Sequence, residues 1–536
     1  MLGFPYTISP QKLKQILNDG EEIALIDVRE EGVFGKGHLL LACCIPSSHL
    51  ELRVADLLPK KSVRIVLAAE EPSEKPLLAM KAAERLCGFG YNDVSILEGG
   101  SSRLRAEGFE LFSGVNVLSK AFGEFVELNY NTPHLTAQEL KTGMEQADNL
   151  IILDARPKEE YRLMNIPKGI NVPGAELVYR IHDLVPDPKT MIVVNCAGRT
   201  RSILGAQSLI NAGIPNRVAA LQNGTMGWQL AGLKLEHVQN RFGPAPTQKG
   251  IEKARICAES VADRFGIQKV DHDTLKNWRS ELESRTLYIL DVRLPEEFEG
   301  GHLEGSRNAP GGQLIQATDR YIVVRNARVL LLDDTEVQAM MTASWLKQMG
   351  WRDVYVLEGG IGNGPLIKGP HKPEVLGLES VEAMHVSELG KIFESKRKVV
   401  IVDFATNLEY KNGHIPGAWW CVRSRIKAFL SKIPTAEYIV LTSPDGIIAQ
   451  LSYKDVKVLC PNVQVRVLDG GTRAWIETGF PTTEGMENVT SSADDLWYEP
   501  VDQEDALAKA MRDYLTWELG LIEQVKRDGN ANFQFY

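Results

Sequence analysis

The sequence predicts an α/β chain made of four tandem copies of one unit, each a mainly parallel sheet flanked by helices. Three observations predict it. Four short apolar runs end in an aspartate: Asp27, Asp154, Asp291 and Asp403. Each is followed by one turn, Leu97-Glu98-Gly99-Gly100, Leu221-Gln222-Asn223-Gly224, Leu357-Glu358-Gly359-Gly360 or Leu468-Asp469-Gly470-Gly471. The third residue of that turn lies 72, 69, 68 and 67 residues beyond its aspartate. The length of 536 residues also asks for several cores, since domains usually hold roughly 100–200 residues.

The elements repeat in order. A first strand reaches the aspartate: Ile23–Asp27, Ile151–Asp154, Tyr288–Asp291 and Val399–Asp403. A second run follows at Arg64–Ala68, Met191–Asn195, Arg328–Leu332 and Tyr438–Thr442. A helical stretch comes next, clearest at Ser202–Ala212 and Val337–Gln348, and a third strand such as Val354–Leu357 enters the turn. These runs do not alternate apolar with polar residues, as expected for strands covered by helices on both faces. The paired glycines suit a turn of positive φ. The units are placed at 1–115, 133–236, 267–375 and 376–490, joined by a linker at 116–132 and a helical linker at 237–266. A helical tail at 491–536 follows. Within the second linker, Lys249–Phe265 is helix-like. In the tail, Leu507, Met511, Leu515, Leu519 and Ile522 give Asp502–Lys526 an apolar stripe, which is expected to pack back on the fold or on another subunit.

Composition narrows the function. Hydrophobic residues at 44% and charged residues at 24% describe a globular chain. A net charge of −10 argues against a general nucleic-acid binder, so any anion site must be local. Seven cysteines, an odd number with no C-x-x-C pair, argue against a disulfide framework or a structural zinc site. A reducing, cytoplasmic location is expected. Met1–Tyr6 lacks the basic start and apolar core of a signal peptide. No apolar run approaches the roughly 20 residues of a membrane span. A homo-oligomer is compatible with all of this.

One loop carries chemistry. Cys196 follows Asp154 by 42 residues and opens Cys196-Ala197-Gly198-Arg199-Thr200-Arg201-Ser202. The same offset finds Ala69 in the first copy and Asp333 in the third. In the fourth it finds Asp445, although matching the strands selects Ser443. One copy in four therefore has the thiol. A short loop between a buried strand and a helix curls its backbone N–H groups inward. Helix dipole and the Arg199 and Arg201 guanidiniums then favour a thiolate at Cys196. Gly198 leaves the curl unobstructed, and Ser202 suits an N-cap or first-turn position.

These residues carry a resemblance to the rhodanese family. The first copy has Asp27-Val28-Arg29 and Gly37-His38-Leu39, and the second has Asp154-Ala155-Arg156, Asn171-Val172-Pro173 and Gly227-Trp228. The third has Asp291-Val292-Arg293 and Gly301-His302-Leu303-Glu304-Gly305-Ser306. The fourth has Gly413-His414-Ile415-Pro416-Gly417-Ala418 and Gly470-Gly471-Thr472-Arg473-Ala474-Trp475. The resemblance implies four rhodanese-like domains and a double displacement. Cys196 takes sulfane sulfur from a small anionic donor, thiosulfate or a persulfide, and passes it to a thiol or cyanide. The loop amides from Ala197 to Ser202 hold the persulfide, and Arg199 and Arg201 guide the donor. No metal or organic cofactor is implied. Rhodanese-like phosphatases place five residues between cysteine and arginine, whereas four separate Cys196 from Arg201. A phosphatase or arsenate reductase, and a largely non-catalytic scaffold, are the competing readings.

The remaining candidates read as structural. The Asp-x-Arg pattern recurs in copies without the thiol, as do His38, His302 and His414, whose place in the second copy is taken by Asn165. Trp228 and Trp475 read as core anchors. Arg162, Tyr179, Arg180 and His182 lie where a pocket mouth could form, but a solvated surface is their commoner fate. The other six cysteines read as inert.

Overall fold

The computed structural model describes residues 6–69, 77–362, 364–395, 397–502 and 506–536. The signal-peptide reading at Met1–Pro5 and the tail positions Gln503–Asp505 lie outside the described residues.

Each repeat forms one sheet with the same strand order. In the second unit the order is His134–Leu135, Val218–Leu221, Met191–Asn195, Leu150–Asp154 and Ile170–Asn171, parallel throughout. Two short edge strands per unit thus flank the three read from sequence; at two or three residues they leave little pattern. Ile192, Val193 and Val194 are fully buried, since helices cover both faces of the central strand. The register pairs Asp154 with both Asn195 and Asn171. That gathers the strand ends where ligands of open α/β sheets bind.

The first sheet has a sixth strand. Val324–Arg325 of the third unit pairs antiparallel with Ala24 and Ile23. The Tyr288 hydroxyl donates to Leu57 O at 2.6 Å, and the Thr286 N–H donates to Glu22 at 2.8 Å. One hydrophobic core runs through units one, two and three and both inter-unit helices. The fourth unit has cores of its own. It meets the first through a buried Arg423–Glu51 pair at 2.7 Å and a Ser424–Glu30 hydrogen bond at 2.7 Å.

The connections do more than join. Most of the segment read as a plain linker at 116–132 is the helix Val117–Tyr130, with Val117, Ala121, Phe122 and Val126 buried. Its sequence lacks a side-chain cap, and its flanking Asn116 and Asn131 both adopt left-handed φ, which hid its ends. The second linker contains the expected helix at Gln248–Arg264, capped by Thr247. The tail contains Leu507–Asp528, but its buried face is Met511, Leu515, Glu518, Leu521 and Val525. Leu519 is 53% exposed. Steps of four drift off a 3.6-residue turn, so the true stripe mixes fours and threes. Beyond the helix, Phe533 packs on Phe122 and Phe125, each at 5.3 Å between ring centres.

Candidate active site

Cys196 sits at the C-terminal end of Met191–Asn195 and is 2% exposed. The helix behind the loop, Thr200–Asn211, starts two residues earlier than Ser202. Ser202 therefore lies in its first turn. Its hydroxyl donates to Arg199 O at 2.8 Å and stands 3.4 Å from Cys196 Sγ, and its amide also points at the sulfur. The loop is held from below by the Asn223-Gly224 turn. Thr225 N–H donates to Cys196 O at 2.9 Å, and Met226 N–H donates to Ala197 O at 3.0 Å. Gly224 has φ +51°, and a Cβ there would lie 2.2 Å from Cys196 O, so only glycine fits.

The two arginines that the sequence assigns to guiding the donor line the space above the thiol, each paired with a carboxylate of the protein. Arg199 is gripped by Glu124 at 2.6 and 2.7 Å, with Glu127 also in contact. It ties the loop to the helix Val117–Tyr130. Arg201 binds Glu160 through both terminal nitrogens, at 2.6 and 2.8 Å, and reaches Gln313 at 3.2 Å. Burying a guanidinium without a carboxylate is costly, so both found one inside the protein. The thiolate expectation changes too. Burial pushes the Cys196 thiol up, with Arg201 the main influence opposing it.

The cysteine-less loops of the third and fourth units share the geometry; the loop after Ala69 in the first unit lies outside the described residues. In the third unit the Asp333 carboxylate accepts from the amides of Thr335 and Glu336, and from that of Ala339 at 2.7 Å. In the fourth, Ser443 Oγ accepts from the Ala449 amide at 3.3 Å, which settles the equivalence in favour of Ser443 over Asp445. Ala339, Ala449 and Ser202 each lie six residues past the loop's first residue. The same curl holds a thiol, a carboxylate and a hydroxyl.

The structural readings elsewhere agree with the geometry. Asp154 accepts from Arg156 at 2.7 and 2.9 Å and from Asn195 at 2.8 Å, all buried. Asp27–Arg29 and Asp291–Arg293 repeat the ion pair. His38, His302 and His414 stack on Phe34, Phe298 and Tyr410 at 3.7–3.8 Å, buried. Trp228 and Trp475 are buried beside their turns. Arg180 is buried and paired with Glu176 at 2.6 Å, away from the thiol.

Cys196 opens on a cavity of about 510 Å³. Besides the loop itself and Arg156 to Met164 of the same unit, its walls come from Lys120 of the first linker, Gln313 to Tyr321 of the third unit, and Trp497, Met511, Tyr514 and Glu518 of the tail. The tail lies directly on the loop. A Cβ on Gly198 would meet Tyr514 at 3.3 Å and Glu518 at 3.4 Å, and Thr200 Oγ1 donates to Glu518 at 2.8 Å. Sequence reasoning missed these walls because no local signal links the loop to residues from 76 to more than 300 positions away; the tail's apolar stripe alone hinted at docking. Among the described residues, no group of three or more His, Cys, Asp or Glu is arranged to hold a metal. Among the same residues no helix is long and apolar enough to cross a membrane.

The sequence profile described as "Rhodanese-like domain" matches residues 9–107, 136–231, 271–363 and 385–478. The chain belongs to the rhodanese family. A crystal structure of a thiosulfate sulfurtransferase from Pseudomonas aeruginosa is 43% identical over 99% of both chains, with a TM-score of 0.94. That likeness extends the rhodanese match to the linkers and tail. Curated relatives match single domains only. The uncharacterized protein YqhL of Bacillus subtilis is 37% identical over 76 residues, 14% of this chain and 59% of its own length. The HTH-type transcriptional regulator Rv0324 of Mycobacterium tuberculosis is 34% identical over 91 residues, 17% of this chain and 39% of its own length.

Proposed function

We propose that this rhodanese is a sulfurtransferase whose chemistry is confined to the second unit, with Cys196 as the sulfur carrier. The Cys196 thiol loses its proton, and its sulfur forms an S–S bond to the outer sulfur of thiosulfate or a persulfide. The donor's S–S bond breaks, and its electron pair leaves with sulfite or a thiolate, which carries away the released proton. A thiol or cyanide then attacks the outer sulfur of the enzyme persulfide and returns Cys196. The loop from Ala197 to Ser202 supplies N–H groups to the persulfide anion, and the Ser202 hydroxyl stands beside the inner sulfur. Arg201 opposes the burial that disfavours the thiolate, while Arg199 positions the loop. The reducing, cytoplasmic setting read from the cysteines suits such a carrier.

The observation that carries the reading is the occupied cradle of the third unit. Asp333 places a carboxylate on the same loop amides, so the curl supports an anion where the second unit has sulfur. Incubation with thiosulfate is expected to add the mass of one sulfur to the peptide holding Cys196, and Cys196→Ser to abolish both label and turnover. Full turnover by Cys196→Ser would overturn the reading. Hydrolysis of an aryl phosphate, lost in the same variant, would favour a phosphatase instead.

A further inference from the structure

The cavity above Cys196 is lined by five cationic side chains, and four are already matched. Arg156 pairs with Asp154, Arg199 with Glu124 and Glu127, Arg201 with Glu160, and Arg320 with Glu31. The fifth is Lys120, on the helix Val117–Tyr130, 3% exposed as a residue and facing the cavity. Among the described residues no carboxylate lies within ion-pair distance of it. Its ammonium contacts the Tyr514 hydroxyl and sits 4.5 Å from the Tyr514 ring centre and 5.6 Å from that of Trp517. Both aromatic groups belong to the tail helix. They hold the cation in place without cancelling its charge.

We propose that Lys120, and not either loop arginine, binds the anionic end of the sulfur donor, and that the tail helix holds it in position for that task. The inference rests on the proposed function and assigns the donor site within it. The donor would lie between the Lys120 ammonium and the Cys196 sulfur, its charged group at the lysine and its sulfane sulfur toward the thiol. Glu518 is the carboxylate best placed to compete. Its Oε1 is taken by Thr200, and its buried Oε2 has no partner. Burial pushes this carboxyl up, toward the neutral acid, against the pull of Lys120.

Two alkylating reagents of similar size separate charge from access. Iodoacetate is an anion and iodoacetamide is neutral, and both attack the same sulfur. In full-length protein, Lys120→Gln is expected to lower the ratio of iodoacetate to iodoacetamide rates at Cys196 by about tenfold, as for one partly shielded charge contact. KM for thiosulfate should rise by a similar factor with kcat changed less. Lys120→Arg should keep most of the ratio. Lys120→Met preserves the stem over Tyr514 and Trp517 and serves if the glutamine variant does not fold. An unchanged ratio in a folded variant that still forms the Cys196 persulfide would overturn the lysine assignment alone. If wild-type Cys196 takes up no sulfur, the proposed function itself fails.

Discussion

At the residue scale, the four aspartates at the first strand ends form an internal control. Three of them share a buried, hydrogen-bonded pair with the arginine two residues on. The fourth has Ala405 there, and Asp403 keeps only the Ala405 amide at 2.9 Å and the Thr472 hydroxyl at 3.4 Å. Burial pushes its carboxyl up to about 6. An unfolded aspartate titrates near 3.9, so the folded state holds the proton more tightly. Stability is then lost as pH rises from about 4 through about 6, on the order of 2–3 kcal/mol in all, and stays low above that window. Asp403→Asn is expected to melt higher than wild type at pH 7.5, with the gap closing below pH 4. A gap independent of pH would show that the charge is not its cause. The Asp-x-Arg pattern was legible in the sequence, and so was its absence at Ala405. The partners Arg199 and Arg201 would choose were not, because Glu124 and Glu160 stand 75 and 41 residues away.

At the element scale, the tail helix is part of the active-site wall. Leu515 and Met511 pack with Met226, the residue whose amide anchors Ala197 O. Leu515→Asp would place a charge in that apolar contact, at a cost of about 3 kcal/mol to docking. The expected outcome is faster iodoacetamide labelling of Cys196 together with a higher KM for thiosulfate. Labelling at the wild-type rate in a folded variant would mean that the tail does not shield the loop. The sequence placed a helix over Asp502–Lys526, since its apolar residues recur at helical spacing, and the structure has it at Leu507–Asp528. It misplaced the stripe at Leu519, because Leu521 and Val525 are equally apolar and only the docked partner decides which side is buried. The helix Val117–Tyr130 was illegible for a related reason. Its flanking Asn116 and Asn131 are residues that helix ends and loops use alike, and Asn116 makes no side-chain cap bond.

At the scale of the whole molecule, the repeats are neither beads nor equals. Units one to three share a core, and the third lends a strand to the first, so they are expected to unfold together. The fourth meets the first through a contact centred on the buried Arg423–Glu51 pair, with Leu52 packed against the fourth unit's core. Removing one partner of a buried pair leaves the other charge uncompensated and costs roughly 3–5 kcal/mol. Arg423→Ala is therefore expected to split the calorimetric transition, the fourth unit melting first and the other three near their original temperature. A single transition lowered as a whole would show that the fourth unit is integral to the common core.

The sequence by itself determined the fourfold repeat, the strand and turn landmarks of each unit, and the loop that bears the thiol. Those features depend on local patterns of burial and backbone freedom, which neighbouring residues encode. Only the tertiary structure decided what the thiol faces. The cavity is assembled from a linker helix, the third unit and the tail, and buried charges select their partners by proximity in space. That selection paired both loop arginines with carboxylates and left Lys120, which no motif marks, as the cation of the cavity with no carboxylate partner among the described residues.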